Sequence, residues 1–397
     1  MRDDLRRRAL LVLPAHAHVK VAALLAFWLS AGALAYTFAG YGALMALLAR
    51  GRGLKSGAPA PLPDVCAVIV AHNEEARIAA RIENLLASDY PPEKLRILLV
   101  SDGSTDATVA RASALDPTRV TVLAQPVRTG KAAGLNAALA QATGDIIVFT
   151  DARQRFAPDA IARLTAHFAD PHIAAVSGAL EIDPARTAAG TGVDAYWRYE
   201  KSLRAAESRF DSCIGCTGAI YAIRRALFTP LPADTVLDDV VIPMRLAIAG
   251  HRVIHDPAAR AFDPQPLEPA AETVRKRRTL AGNFQMLFRH PAWLLPSRNR
   301  LWWQLISHKY LRLCAPVLLI VLLAASTALA THPLYRTALA LQLAFYVAAA
   351  FGLRFPALRG KIFALPAGFV FLNVTVLRAL LHYLTTADLH RWTSRQP

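Results

Sequence analysis

Four short apolar runs, each closing on a polar or charged cluster, set the pattern of the first half of the chain. Val65–Val70 ends at His72-Asn73-Glu74-Glu75, and Ile97–Val100 at Ser101-Asp102-Gly103-Ser104. Val120–Leu123 leads to Arg128-Thr129-Gly130-Lys131, and Ile146–Phe149 to Thr150-Asp151-Ala152-Arg153. The stretches between them have helical periodicity, so the order strand, helix, strand, helix predicts a parallel sheet. Ligands of such sheets bind beyond the carboxyl ends of the strands, where all four clusters fall. Their side chains suit a nucleotide and its phosphates. Further on, Ile173–Leu180 reads as a fifth strand. Val193–Phe210 reads as an amphipathic helix, and Asp238–Ala249 as another, closed by Gly250.

Elsewhere the apolar pattern is longer. No Asp, Glu, Lys, Arg or His occurs from Val21 to Ala49, and Leu313–Tyr335, Thr337–Leu353 and Ile362–Leu377 hold no charge besides His332. Crossing a bilayer takes about 20 apolar residues, so one N-terminal and three C-terminal spans are expected, the last containing Pro366 and followed by Arg378. The first is too long for a signal-peptide core and reads as a retained anchor. A hydrophobic content of 54% over 397 residues and a mean hydropathy of +0.30 agree with membrane segments. Gly51–Pro63 reads as a linker. Pro291–Leu313 mixes Trp293, Trp302 and Trp303 with basic residues, as an interfacial helix does. Arg50, Arg52 and Lys55, then Arg298, Arg300, Lys309 and Arg312, then Arg354, Arg359 and Lys361 would fall on one membrane face with the globular domain, which places it in the cytosol at the cell membrane. Arg2, Arg6, Arg7 and Arg8 argue the other way, partly offset by Asp3 and Asp4.

The net charge of +16 changes this picture little. Much of it lies in the tail, the juxtamembrane segments and Arg275–Arg278, where lipid headgroups and a pyrophosphate account for it. There is neither a nucleic-acid-binding motif nor a basic strand interleaved with aromatics, so no nucleic acid is expected as a partner. The four cysteines read as free thiols. Cys213-Ile214-Gly215-Cys216 has redox spacing but no second pair to complete a zinc site, and is read as structural or acceptor-lining. His251 and His255 flank a strand-like segment and would not share a helical face as a metal pair.

Each chemical candidate has a bland alternative. Asp102 can bind a uracil or ribose, or cap a helix. Asn73 and Glu74 stand nearest the sheet's switch point, or cap a helix over Glu75–Ala87. Lys131 opens a helix, where a cation is unfavourable unless an anion is bound, which points to phosphate. Asp151 can hold a diphosphate-bridging Mg²⁺ or Mn²⁺, although its neighbour Arg153 cannot. Asp238-Asp239 is either an N-cap pair or the source of a general base. Arg275–Arg278 faces lipid or clamps a leaving nucleoside diphosphate.

In this order the residues resemble the membrane-bound family 2 glycosyltransferases, the group of cellulose, chitin, hyaluronan and poly-N-acetylglucosamine synthases. The resemblance covers Val65 to about Leu287 and the flanking spans. It implies an α/β GT-A nucleotide-diphospho-sugar transferase fold, Rossmann-like with a mainly parallel sheet, plus transmembrane α-helices. By this resemblance Asn73, Glu74 and Asp102 hold the uridine, and Lys131 with Leu135-Asn136 lies against the nucleotide. Asp151 matches the first position of the Asp-x-Asp metal motif, and Arg153 stands at the second. Asp239, beside Asp238, would be the base. Cys216-Thr217-Gly218 resembles the loop under the acceptor sugar, and Arg278 keeps a pyrophosphate role. Thr279 stands where processive synthases carry tryptophan.

The implied activity is inverting transfer of a hexose or N-acetylhexosamine from a UDP-sugar to a glycan or lipid hydroxyl, with Mg²⁺ or Mn²⁺, in polysaccharide synthesis. Transfer of one sugar to a lipid and an inactive nucleotide-binding scaffold are the alternatives. The expected layout is a tail, span (about 21–49) and linker over 1–57, and a GT-A domain over 64–289. An interfacial segment over 290–312, three spans over 313–385 and a tail over 386–397 complete it.

Overall fold

Val65–Ala71 (β1), apolar throughout, and Ile146–Thr150 (β4), apolar up to its last residue, are buried along their whole length, as expected at the centre of a sheet covered on two faces. The computed structural model describes residues 15–53, 61–182, 191–263, 269–355, 360–386 and 388–389. The N-terminal tail, linker residues 54–60 with Lys55, Arg359 and most of the C-terminal tail lie outside the described residues. The other strands are Leu95–Asp102 (β2), Val120–Gln125 (β3), Arg155–Phe156 (β5), Ile173–Ile182 (β6), Ile220–Arg224 (β7) and Arg252–Asp263 (β8). Together they form one eight-stranded sheet in the order β3-β2-β1-β4-β7-β6-β8-β5.

β1 pairs parallel with β2 and β4, and β2 with β3, as the alternating pattern predicts. The second half is mixed. β7 runs antiparallel to β4 and β6, β6 parallel to β8, and β5 antiparallel to β8. This reversal matters for the site. Antiparallel pairing sets Ile220, the first residue of β7, beside Thr150, the last of β4. The loop that precedes β7 therefore arrives at the sheet edge where β4 ends in Asp151.

The core packs Ile69, Leu99 and Val148 of the central strands against Ile78, Ile82 and Leu85 of helix Ile78–Leu86 and Ile161 and Leu164 of helix Ala160–Ala166. Helix Ile78–Leu86 starts later than the expected Glu75. Asn73 takes a left-handed conformation (φ 55°), and the loop behind it is tied to the turn after β2. Helix Lys131–Gln141 opens at Lys131, as expected.

Four helices, His18–Leu48, Trp302–Ala328, Pro333–Arg354 and Lys361–Thr385, are long and apolar enough to cross a membrane. The charge-free stretch Leu313–Tyr335 is not one span. Its helix ends at Ala328 and the next begins at Pro333, with His332 as N-cap accepting from the Leu334 N–H. The expected interfacial segment is also divided, its second half belonging to the helix that starts at Trp302. Contacts divide the chain into two units, Met1–Ala43 with Ser307–Leu377, and Leu44–Ile306 with Arg378–Pro397. Within the first, the Phe27 ring meets Tyr335 edge-on at 4.8 Å, and the Tyr36 hydroxyl lies 2.8 Å from Ser307 Oγ. Leu29, Leu341 and Ile362 turn outward, as lipid-facing residues do.

His255 on β8 is a buried histidine whose Nδ1–H donates to the Ser177 carbonyl at 3.2 Å, while Nε2 has no partner among the described residues. Burial and the neighbouring Arg204 push its pKa down to about 4 from 6.5. The unfolded chain therefore takes up this proton first, so the stability is complete above pH 6.5 and declines as pH falls toward 4. The loss should approach roughly 3 kcal/mol. His255→Gln, which keeps a donor to Ser177, should flatten the fall in melting temperature between pH 7 and 4.5; an unchanged slope contradicts this assignment.

Candidate active site

β1 and β2 end in adjoining turns that are stitched together. The Asn73 N–H donates to Ser104 Oγ at 3.1 Å, and Asn73 Oδ1 accepts from the Thr105 N–H at 2.9 Å. Glu75 N–H donates to Asp106, and Glu75 Oε2 accepts from the Ala107 N–H. Glu74 pairs with Arg77 at 3.1 Å. Asn73 and Glu74 thus bind the neighbouring loop and a nearby arginine, and neither caps the following helix, whose N-cap Arg77 makes no side-chain bond.

Asp102 is 1% exposed and accepts from the Thr129 N–H at 2.6 Å and the Gly130 N–H at 2.9 Å. It holds the turn that delivers Lys131, so it braces the start of a helix other than the one following it.

Lys131 is the centre of the arrangement. Its Nζ lies 2.9 Å from Asp151 Oδ1 and 3.5 Å from Asp238 Oδ2. Burial works against the ammonium charge, but Asp151, Asp238 and Asp239 outweigh it and raise the pKa above the ordinary lysine value. Asp238, 4% exposed, does not cap helix Asp238–Ile248; Leu237 is the N-cap and no side chain caps it. The carboxylate turns to Lys131 instead, which overturns capping as its use.

Asp239 is half-buried next to it. Its carbonyl accepts from the Cys216 N–H at 2.8 Å, and a Cβ at Gly218 would lie only 2.9 Å from its Oδ2. The missing side chain at Gly218 is what gives the Asp239 carboxylate its place against the loop of residues 213–219. That loop is held to the sheet through Thr150 Oγ1, which donates to the Ala219 carbonyl at 3.0 Å, and through the Thr217 N–H, which donates to Ser177 Oγ at 2.9 Å. Cys213 and Cys216 are buried free thiols. Burial pushes Cys213 up to about 12 and Cys216 well above its usual value, so neither supplies a thiolate.

Arg278 comes from helix Pro269–Arg289, which is fixed to the segment ahead of Asp238. Gly282, one turn after Arg278, leaves room for Leu237, whose Cγ would be 2.6 Å from a Cβ there. Gln285 accepts from the Val236 N–H and donates to the Asp234 carbonyl, and Arg289 pairs with Asp234. Positions 278, 282, 285 and 289 share one helical face. Burial lowers the Arg278 pKa, Asp238, Asp151 and Asp239 oppose the shift, and Arg128 adds to it. Lys131, Arg278 and Arg128 therefore share one field with three carboxylates.

Several contributors escape the sequence reading. Arg81 sits on the apolar stripe of its helix at 2% exposure, donates to Thr150 Oγ1 at 2.8 Å and stacks over Phe156. An arginine amid Ile78, Ile82 and Leu85 is itself the signal. Arg153 pairs with Asp263 at 2.6 Å, a residue 110 positions away that local spacing could not reveal.

A divalent ion can be tested against this donor set. Asp151 is 41% exposed, with one oxygen on Lys131, and the next position of its motif is an arginine already paired. Among the described residues no group of three or more His, Cys, Asp or Glu could hold an ion. These residues fit an ion shared between Asp151 and a ligand's phosphates, since Mg²⁺ commonly takes one or two carboxylates plus phosphate and water. They do not fit a cage made by protein alone.

A mixed sheet whose switch-point edge gathers carboxylates and cations in this way is of the GT-A class of folds. Residues 66–230 match the family described as Glycosyl transferase family 2, and the chain carries a glycosyltransferase domain of that family. It is 32% identical over 184 residues to an N-acetylglucosaminyltransferase of Rhizobium meliloti, a match covering 43% of this chain and 41% of the relative. It is 30% identical over 200 residues to a beta-monoglucosyldiacylglycerol synthase of Synechocystis sp., covering 47% and 40%. The chain thus spans about two fifths of the length of these curated relatives. The structure resembles the mannosyltransferase PcManGT of Pyrobaculum calidifontis, solved with GDP-Man and Mn²⁺, at a TM-score of 0.71 and 24% identity over 92% of this chain and 99% of that one. That likeness establishes the shared fold.

Lys131→Met would leave Asp238 buried without its cation, and truncating one partner of such a pair costs about 3–5 kcal/mol. Thermal unfolding in detergent should show a large drop for Lys131→Met and a smaller one for Lys131→Arg. Equal stability of Lys131→Met and wild type would contradict the ion-pair geometry.

Proposed function

We propose that the protein is an inverting glycosyltransferase that moves a hexose or N-acetylhexosamine from a UDP-sugar to a glycan or lipid hydroxyl at the membrane, in polysaccharide synthesis. The observation that carries this reading is the gathering of Asp151, Asp238, Asp239, Lys131 and Arg278 at one sheet edge. In this reading Asn73, Glu74 and Asp102 line or brace the uridine end. Lys131 and Arg278 meet the diphosphate and stabilise the charge that develops on the leaving group. Asp239, held against the loop of Cys216, Thr217 and Gly218, takes the proton of the acceptor hydroxyl as its oxygen attacks the anomeric carbon. Attack opposite the departing diphosphate inverts that carbon. Asp238 keeps Lys131 in place.

Three carboxylates already face three cations, so a bound diphosphate adds about two uncompensated negative charges. A Mg²⁺ or Mn²⁺ ion on Asp151 would supply that compensation as a Lewis acid. We place the domain on the cytosolic face of the cell membrane, because Arg50, Arg52, Arg298, Arg300, Arg354 and Lys361 flank the candidate spans and such basic clusters favour the cytosolic side. Single-sugar transfer to a lipid is the second reading. Thr279 at the processive tryptophan position and the relative named beta-monoglucosyldiacylglycerol synthase favour it.

UDP release measured over a panel of UDP-sugars, with and without Mn²⁺, should identify one donor and a metal-stimulated rate. Radiolabelled product forms a ladder if the chain polymerises, and a single band if it adds one sugar. Asp239→Asn should lower turnover by about 10²–10⁴-fold, the usual contribution of a general base, with UDP affinity retained. Wild-type turnover by that variant would remove Asp239 as the base.

A further inference from the structure

We propose that Arg204 is a positioning residue for the acceptor half of the site, holding Thr217 in place and keeping a positive charge behind Asp239. This rests on the assignment of Asp239 as base. Arg204 lies on helix Thr191–Phe210, away from every strand end considered above, and no local motif singles it out. Its Nη1 donates to Thr217 Oγ1 at 3.1 Å, and its Nε to Glu200 Oε1, one turn earlier, at 3.4 Å. Thr217 is held from its other side by Ser177, whose carbonyl in turn accepts from His255. Glu200, Arg204, Thr217, Ser177 and His255 are thus linked, through side chains and backbone, in one polar network that includes the loop of residues 213–219.

A guanidinium largely withdrawn from water is expensive to desolvate, and an apolar residue would cover the same surface at less cost. What an apolar residue cannot do is fix a loop hydroxyl and set a charge close to Asp239. Burial works against the Arg204 charge, but the carboxylates of Glu200 and Asp239 raise its pKa. The groups around Asp239 divide by side. Asp238 adds negative charge beside it, while Lys131, Arg278 and Arg204 oppose it. Lys131 and Arg278 face the donor, so a bound diphosphate competes for both. Arg204 is engaged by Thr217 and Glu200 instead, so a bound diphosphate leaves it available to the carboxylate.

The test uses the full chain in detergent, with UDP-N-acetylglucosamine and chitotetraose, and UDP-glucose and dioleoylglycerol micelles, following the pair that wild type turns over faster. Arg204→Gln should raise the acceptor KM and lower kcat by about tenfold or more each, with UDP affinity within about twofold of wild type. Arg204→Lys, which restores the charge, should recover most of kcat. A parallel loss of UDP affinity, or Lys no better than Gln, overturns the proposal in favour of a purely structural arginine.

If Arg204→Gln does not fold, Thr217→Val removes the hydroxyl and keeps the arginine. A raised acceptor KM then supports the proposal, and an unchanged one overturns it. An inactive Asp239→Asn beside a normal Arg204→Gln defeats only this proposal, whereas an active Asp239→Asn defeats the assignment of the base on which it rests.

Discussion

An ammonium group enclosed by carboxylates is the contact on which the site depends. Lys131 reaches Asp151 and Asp238 from a helix whose N-terminus would repel it if the carboxylates were absent. Each partner comes from a different element, the end of β4 and the start of helix Asp238–Ile248. The ion pair therefore fixes the relative position of three parts of the chain as well as a charge. Asp102 serves the same end from β2, because its two oxygens hold the turn that presents Lys131.

Topology explains why the loop against Asp239 and the Lys131–Asp151 pair can meet there. With β7 antiparallel to β4, the loop ahead of β7 lands at the edge where the parallel strands β1, β2 and β4 also end. Gly218 and Gly282 then remove the side chains that would keep the Asp239 carboxylate from this loop and helix Pro269–Arg289 from Leu237. A sheet parallel throughout would send the start of β7 to the opposite edge, and the loop of residues 213–219 would be separated from Asp151 and Lys131.

Much of this was legible from periodicity. The four apolar runs correspond to β1–β4, and Lys131 and Asp151 fall at the helix start and strand end where the polar clusters placed them. Strand β5 has two residues, too few for any pattern, and β7 is a short apolar run whose direction only its pairing reveals. The use of Asp238 stays open in the sequence because an acidic pair at a helix start has a good local use, and its partner Lys131 is more than a hundred residues earlier. The Arg153–Asp263 pair was hidden for the same reason. The division of Leu313–Tyr335 was missed because hydropathy does not register a turn, although Pro333 stood there as a helix-start signal.

The most direct measurement is an experimental structure of the full chain with UDP and Mn²⁺. The account predicts diphosphate oxygens within hydrogen-bonding distance of Lys131 or Arg278, with the Asp239 carboxylate facing the open acceptor side. A diphosphate bound elsewhere, with the Lys131–Asp151–Asp238 contacts undisturbed and out of its reach, would contradict it.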